Sequence, residues 1–428
     1  MDLRSSFDVV PRSRYSAARW ESNQYECLSK PGCNPFLNRS ALKLANINMI
    51  MPLTPVSLPS TALSPVSMTF VDLCGGPGGF SEYLLRRQGP AAEVHGWGMT
   101  LENCDCPWDR HKLADWIVEE DEEGESEKDE DKDENGDNHT PAGKRRKTAP
   151  AMARTLRFCY GQDRRGDLCR PENIQYLRAF LPGRVDVVVA DGGFAEARAR
   201  FDQEAMMLPL LVSEVSAMFY ILRKGGLFVC KFFDMTLPAT VQLIGLLGLL
   251  FESVAIVKPV TSRPASSERY VLGRGFRGEG GENEQNKEVA LLLEKMFARV
   301  QAGQTDGLSE EEEEEGNEGG VATSLGNLLA PGSAFAAWLR IVNNSLMRAQ
   351  IKACYAIHEK LNTKDEEEEE EVQREGDVVV GCQEKEEQKQ EQEQKEQETE
   401  KETKKREKEK ETMDMEAYRR LWDLDRIL

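Results

Sequence analysis

The stretch Phe70 to Leu85, FVDLCGGPGGFSEYLL, passes from a short apolar run through four glycines around one proline into the start of a helical pattern. Lacking a Cβ, glycine lets the backbone take positive φ and approach a ligand closely. Gly75, Gly76, Gly78 and Gly79 therefore suit a binding loop at the carboxyl end of a strand, with Pro77 stiffening it. Taken alone, such a cluster is equally an ordinary strand-to-helix turn. The segments around it narrow the choice.

Glu93 to Thr100 predicts a second strand, Leu156 to Tyr160 a short third, and Arg170 to Phe180 a helix with Pro171 in its first turn. Val185 to Ala190 (VDVVVA) reads as a buried parallel-type strand, with Asp191 placed where its carboxyl end emerges. Glu204 to Arg223 predicts a long apolar helix, Gly226 to Phe233 a strand, Leu237 to Phe251 a helix, Ser253 to Lys258 a strand and Arg269 to Phe276 a last strand. This alternation predicts an α/β fold, a Rossmann-like, doubly wound and mostly parallel sheet whose ligands sit outside the carboxyl ends of the strands. Upstream, Asn38 to Asn46 predicts a helix with Arg39 and Lys43, four residues apart, on one face. Beyond residue 280, helices are expected near Val289 to Val300 and Phe335 to Leu361.

Three acidic stretches interrupt this pattern, at about 117–150, 305–320 and 362–412. Their composition cannot supply a core, so the insertions are expected to be disordered, while the tail Glu384 to Glu411 reads either as a solvated helix or as disorder. They hold 42 of the 75 acids and 17 of the 55 Lys and Arg, so the rest of the chain is basic by five charges despite a net charge of −20. A mildly basic body is compatible with a polyanionic partner. The first 60 residues, with Arg12, Arg14, Arg19, Lys30, Arg39 and Lys43 among Trp20, Tyr25 and Phe36, read either as an RNA-facing arm or as a solvated surface. The resulting plan is a basic arm and helix at 1–60 and a core domain at 61–116 and 151–280. A helical extension follows at 281–361, then a Glu/Lys/Gln-rich segment at 362–412 and a helix at 413–428 packing back on the body.

Lys144-Arg-Arg-Lys147 resembles a short import signal and points to the nucleus. The ten scattered cysteines are expected as reduced thiols, and Cys104 and Cys106 near His111 lack zinc-ligand spacing, so no metal is expected. The apolar run Leu237 to Phe251 is shorter than the ~18 residues of a bilayer span, and no membrane association is expected.

A triphosphate-binding loop would need Gly-Lys-Ser/Thr, and Gly79-Phe80-Ser81 stands there instead. GGPGG followed by a helix start suits a ligand with an amino-acid end, whose carboxylate accepts backbone N–H bonds; S-adenosylmethionine fits that description. The segments NRSALK (38–43), FVDLCGGPGGFSEY, GMTL (98–101), GDL (166–168) with RPENI, ADGGF, CKFFD and TSRPASSERY (261–270) occur in this order. Together they resemble the eukaryotic mRNA cap 2′-O-methyltransferase family acting on the first transcribed nucleotide, within the larger FtsJ-like group.

That resemblance implies a catalytic set of Lys43, Asp191, Lys231 and Glu268. As a free lysine titrates near ~10.4, Lys231 serves as the base near neutrality only if burial or another cation, for which Lys43 is the candidate, lowers its pKa, with Asp191 and Glu268 fixing geometry. It places S-adenosylmethionine against Asp72, Cys74, Gly75, Gly76, Pro77, Gly78, Gly79 and Phe80, with Asp167 and Leu168 on the adenine side. For capped RNA it implies Arg19, Asn38, Phe201, Asp202, Gln203 and Ser266, with Trp20 or Tyr25 as candidates for stacking on the cap guanine. The implied function is S-adenosylmethionine-dependent methylation of the first-nucleotide ribose of capped mRNA by a monomer, with polymerase II-associated factors as candidate partners. An FtsJ-type enzyme of ribosomal or transfer RNA and a catalytically inactive RNA-binding scaffold are the alternatives.

Overall fold

The structure is a computed structural model and describes residues 10–29, 33–53, 67–87, 92–104, 106–118, 154–194, 202–278, 284–308 and 320–378, with side chains to 362 in the last segment. Phe201, the Lys144 to Lys147 cluster, most of the acidic stretches and the 413–428 segment lie outside the described residues.

Seven strands form one sheet: β1 (Ser67–Leu73), β2 (Glu93–Met99), β3 (Arg154–Cys159), β4 (Val185–Ala190), β5 (Leu222–Phe232), β6 (Phe251–Val257) and β7 (Arg269–Phe276). Their order is β3-β2-β1-β4-β5-β7-β6, with every pairing parallel except those of β7, which runs antiparallel to β5 and β6. The central strands are apolar on both faces because both faces are covered, as a parallel sheet requires. Val71, Leu73, Val188 and Ala190 pack into one core; Phe70, Met68, Val187 and Val189 pack into the core on the other side. At the β1–β2 pairing Phe70 faces Gly96, where a Cβ would lie 2.3 Å from the Phe70 ring, so the aromatic residue dictates the glycine.

The flanking helices are α1 (Arg12–Ser22), α2 (Arg39–Ile50), α3 (Gly79–Arg87), α4 (Pro171–Phe180), α5 (Gln203–Ile221), α6 (Pro238–Leu250), α7 (Glu284–Gln301), α8 (Val321–Leu329) and α9 (Ala334–Val378). Of these, α5 is long and apolar enough to span a membrane by length and composition, but it is the buried core helix between β4 and β5. The chain leaves β1 toward β2 on one side and returns as β4 on the other. The carboxyl ends of β1 and β4 therefore form the switch point of the sheet, where a crevice opens.

Three local expectations are corrected. The helix expected to reach Arg223 ends at Ile221, because the left-handed Gly225 (φ +76°) lets β5 begin early, with a register shift opposite Val185 and Val187. The first acidic stretch begins after Val118, since Ile117 bridges to Leu156 and the Val118 N–H donates to the Leu156 carbonyl. The N-terminal segment is not a free arm within the described residues: Ala18 of α1 packs with Ile357 and Leu361 of α9, and Arg14 donates to the Leu361 carbonyl. α8 was not anticipated; it is short, and its buried Val321, Ala322 and Leu325 gain meaning only against the rest of the fold.

Candidate active site

α2 starts at Asn38, whose side chain accepts from the Ser40 N–H at 2.9 Å and so caps the helix. Its apolar face, Ala41, Leu42, Leu44 and Ala45, is buried, and that anchoring turns Arg39 and Lys43 toward the crevice. Asp191 follows β4 and Lys231 lies near the end of β5, opposite Tyr270 of β7. Glu268 immediately precedes β7. Four separate segments thus deliver Lys43, Asp191, Lys231 and Glu268 to one edge of the sheet.

Lys231 Nζ donates to the Asp191 carbonyl at 2.8 Å and lies 3.1 Å from Asp191 Oδ1. Lys43 Nζ is 2.9 Å from Glu268 Oε2 and 4.0 Å from Asp191 Oδ2. Ser40 Oγ donates to Asp191 Oδ2 at 2.8 Å, the Tyr270 hydroxyl to Oδ1 at 2.7 Å, and Ser262 Oγ to Glu268 Oε1 at 2.6 Å. Two ammonium groups and two carboxylates therefore alternate along a neutral chain, from Lys231 through Asp191 and Lys43 to Glu268. Burial alone would raise the Asp191 carboxyl, but Lys231, Lys43 and the Tyr270 and Ser40 bonds outweigh it and hold it well below the usual range. Glu268 is likewise held down, with Lys43 the chief opponent of burial. For Lys231 burial favours the neutral amine, yet Asp191 and then Glu268 outweigh it and raise its pKa. Of the two expected sources of a lowered Lys231 pKa, burial acts in that direction, but the carboxylates facing Lys231 outweigh it.

The glycine loop leaves β1 through Cys74 in a left-handed conformation (φ 54°) and continues through Gly78 at φ +116°. Asp72 lies beneath it, fully buried, its Oδ2 accepting from the Ser81 N–H at 3.0 Å and Ser81 Oγ at 2.7 Å. Its Oδ1 has no hydrogen-bond partner among the described residues, and burial pushes the carboxyl up to about 7. Asp72, Cys74, Gly75, Gly76, Gly79 and Phe80 line one cleft with Asn38, Ser40 and Asp191. A buried, half-satisfied carboxylate in a glycine-walled cleft fits the ammonium of an amino-acid ligand, so the residues present suit S-adenosylmethionine. On the far side, Gly166 (φ +72°) packs against the Thr100 carbonyl, bringing the Asp167 loop to the end of β2. The Leu168 side chain is buried in the core.

The expected RNA-binding residues are less concentrated. Arg19 pairs with Glu26 at 3.1 Å, and Ser266 Oγ donates to the Arg263 carbonyl at 2.9 Å. Gln203 accepts from Ser267 Oγ at 3.0 Å, while Asp202 precedes α5 without a side-chain capping bond. Trp20 and Tyr25 pack against the core on the α2 side. Glu26, which the sequence did not single out, is a hub: it is 1% exposed and pairs with Arg19, with Arg39 at 3.1 Å and with Arg263 at 3.0 Å. Glu26→Gln is expected to destabilise the protein by roughly 2–4 kcal/mol, less than a fully buried pair would lose because the arginines keep some water. Urea denaturation checks this, and an unchanged midpoint and slope would remove Glu26 as an organising charge. Ser40, Ser262 and Tyr270 also went unassigned, although each lies inside a motif already noted.

Fold and cleft together are those of a methyltransferase type of architecture, and comparison with known proteins agrees: the FtsJ-like methyltransferase model matches residues 36–276. The chain belongs to the FtsJ-like methyltransferase family. Among curated proteins it is similar to cap-specific mRNA (nucleoside-2'-O-)-methyltransferase 1 of Mus musculus, at 34% identity over 65% of this chain and 30% of that protein. The same-named protein of Xenopus laevis is 34% identical over 67% of this chain and 31% of its own length. That of Dictyostelium discoideum is 28% identical over 64% of this chain and 33% of its own length. The chain thus spans about a third of the length of these relatives.

Proposed function

We propose that this protein methylates the ribose 2′-hydroxyl of the first transcribed nucleotide of capped RNA, with S-adenosylmethionine as methyl donor. The observation that carries this reading is the convergence of Lys43, Asp191, Lys231 and Glu268 in one hydrogen-bonded network beside the glycine loop. The relatives' names point the same way for the capped substrate.

Bound S-adenosylmethionine supplies a methyl group already activated by its sulfonium. The protein's tasks are then to place the hydroxyl in line and to remove its proton. The contacts above use two of the three N–H positions of Lys231, both on Asp191, and leave the third for a substrate oxygen. Asp191, fixed by Ser40 and Tyr270, aims Lys231. Glu268, fixed by Ser262, holds Lys43 beside the same carboxylate. Once Lys231 has lost its proton, its lone pair occupies the position facing the hydroxyl and takes up the hydroxyl proton. Bringing the positive donor close to Lys231 opposes the two carboxylates that hold that proton in the free protein.

Asp72 and the backbone of residues 74–80 would hold the methionine end, and the Asp167 loop the adenosine. Arg19, Asn38, Gln203 and Ser266 flank the entrance available to RNA. The act of methylating nascent mRNA suits a nuclear protein, for which Lys144 to Lys147 is the candidate import segment.

Methyl transfer to a short transcript with an N7-methylated cap is expected to exceed that to the uncapped transcript by at least tenfold. Nuclease mapping is expected to place the new methyl on the first ribose. Equal rates on capped and uncapped RNA would reject the cap-specific reading and leave a general RNA ribose methyltransferase.

A further inference from the structure

The segment from Pro259 to Ser267 carries Glu268 into the site but contains no helix or strand of its own. Its course is set by side chains from outside it. Arg39 donates to the Thr261 carbonyl at 2.6 Å, and Asn46 accepts from the Thr261 N–H at 3.3 Å. From α9, Gln350 donates to the Ala265 carbonyl at 3.3 Å. These contacts hold the front and outer side of the loop, and none of them reaches Glu268 itself.

Lys258 does. It is the first residue after β6, and its Nζ donates to the Glu268 carbonyl at 2.8 Å, to the Ser266 carbonyl at 2.7 Å and, more weakly, to Ser266 Oγ at 3.4 Å. Among the described residues it forms no ion pair, so a strongly hydrated ammonium has been directed onto loop carbonyls. Hydrogen bonds from a charged donor are short and strong, and a loop carbonyl turned inward needs such a partner. Two of the tied carbonyls flank Ser267, so the clamp fixes the backbone on both sides of the approach to Glu268.

We propose that Lys258 is a positioning residue for methyl transfer: by holding the Ser266 and Glu268 carbonyls it sets the Glu268 carboxylate, and through it the Lys43 ammonium, beside Asp191. This rests on the functional reading of the Lys43, Asp191, Lys231 and Glu268 network. Lys258 touches neither the reacting atoms nor the glycine cleft and acts only through Glu268. The charged groups around it are Glu268 and Asp234, which favour its ammonium form, and Arg269 and Lys43, which oppose it. Burial has the largest effect, and Lys258 is brought down to about 8. At neutral pH the donor is present, and the clamp works in its charged form.

The test is a double-mutant cycle in the full chain, with kcat measured on capped RNA at saturating methyl donor. Lys258→Met keeps an unbranched side chain one atom shorter and removes the donors. It is expected to lower kcat by ~10- to 100-fold, as small misplacements of catalytic groups do. S-adenosylmethionine affinity, measured by calorimetry, is expected to stay within twofold. Glu268→Ala is expected to lower kcat by itself, and adding Lys258→Met to it should lower the rate by less than twofold more. Equal factors for Lys258→Met in both backgrounds, or an unchanged kcat in the single variant, would overturn the inference. An unchanged rate in Glu268→Ala would instead overturn the reading of the four-residue network, and this inference with it. Lys258→Gln, which retains one donor, serves the same cycle if the methionine variant does not fold.

Discussion

Lys231→Ala is expected to lower kcat by about 10²- to 10⁴-fold, the range for loss of a positioned proton acceptor. Binding of S-adenosylmethionine should change little, because Lys231 lies on β5 while the cleft proposed for the methionine end is built from β1 and its loop. The expected result is therefore a large fall in kcat with a nearly constant donor dissociation constant. Near-wild-type turnover would remove Lys231 from the mechanism. The pH dependence makes the expectation sharper. Asp191 and Glu268 hold Lys231 as ammonium, with a pKa raised above the ordinary lysine value. The fraction of neutral Lys231 therefore grows as pH rises through the neutral and mildly alkaline range. For the wild type, kcat/KM, which reports the free enzyme, is expected to climb with pH across that range. In Lys231→Ala that dependence should vanish.

Asp191→Ala carries the second large effect, on stability as well as rate. Removal of the carboxylate leaves Lys231 and Lys43, only 11% and 13% exposed, without the anion they share, Lys43 keeping its pair with Glu268. Leaving a buried charge uncompensated costs about 3–5 kcal/mol. Urea denaturation near pH 7 is expected to show a loss of that size, together with loss of methyl transfer; a variant as stable as the wild type would show that the network does not depend on Asp191. The sign of the pH dependence follows from the shifts. Asp191 and Glu268 have folded values below the ordinary carboxylate values. Their contribution is present above those values and is lost as pH falls through the folded ones. Lys231, raised, contributes fully below 10.5 and loses that contribution as pH rises through its folded value. The network is thus stabilising across the whole neutral range, and its loss in Asp191→Ala should be nearly constant from pH 6 to 8.

The tight coupling of these charges also explains why the site is closed in on itself. Ser40, Tyr270 and Ser262 each place a hydroxyl on a network carboxylate, so every oxygen of Asp191 and Glu268 that faces inward has a donor. Fixed in advance, such groups need no reorganisation when a substrate arrives. Glu26 with its three arginines does the same at the neighbouring corner. Burial would raise its carboxyl, but Arg263 and Arg39 prevail and lower it, tying α1, α2 and the loop before Glu268 together.

Much of this protein was legible from residue order because its signals are local. An apolar run ending in GGPGG, an acid at the end of VDVVVA and a lysine within a strand rich in Val and Phe are read from adjacent residues. They fix strand ends, and strand ends fix the edge on which a site can form. Helix and strand boundaries failed where a single backbone conformation decided them, as at Gly225. Asn38 was named as an RNA contact on the family resemblance; the structure adds that its side-chain oxygen caps α2 and that it lines the cleft, a role visible only with the helix in place.

By itself the sequence determined the α/β architecture and the glycine loop, because each depends on residue type within a short window, while Lys43, Asp191, Lys231 and Glu268 became candidates through the ordered motifs of the family resemblance. The tertiary structure decided how those charges act on one another. Coulomb interactions fall with distance and depend on what surrounds them. No spacing along the chain states that Lys231 lies 3.1 Å from Asp191 while Lys43 turns to Glu268 at 2.9 Å. That geometry reversed the expected pKa of Lys231, and it alone brought Lys258 beneath the carbonyl of Glu268.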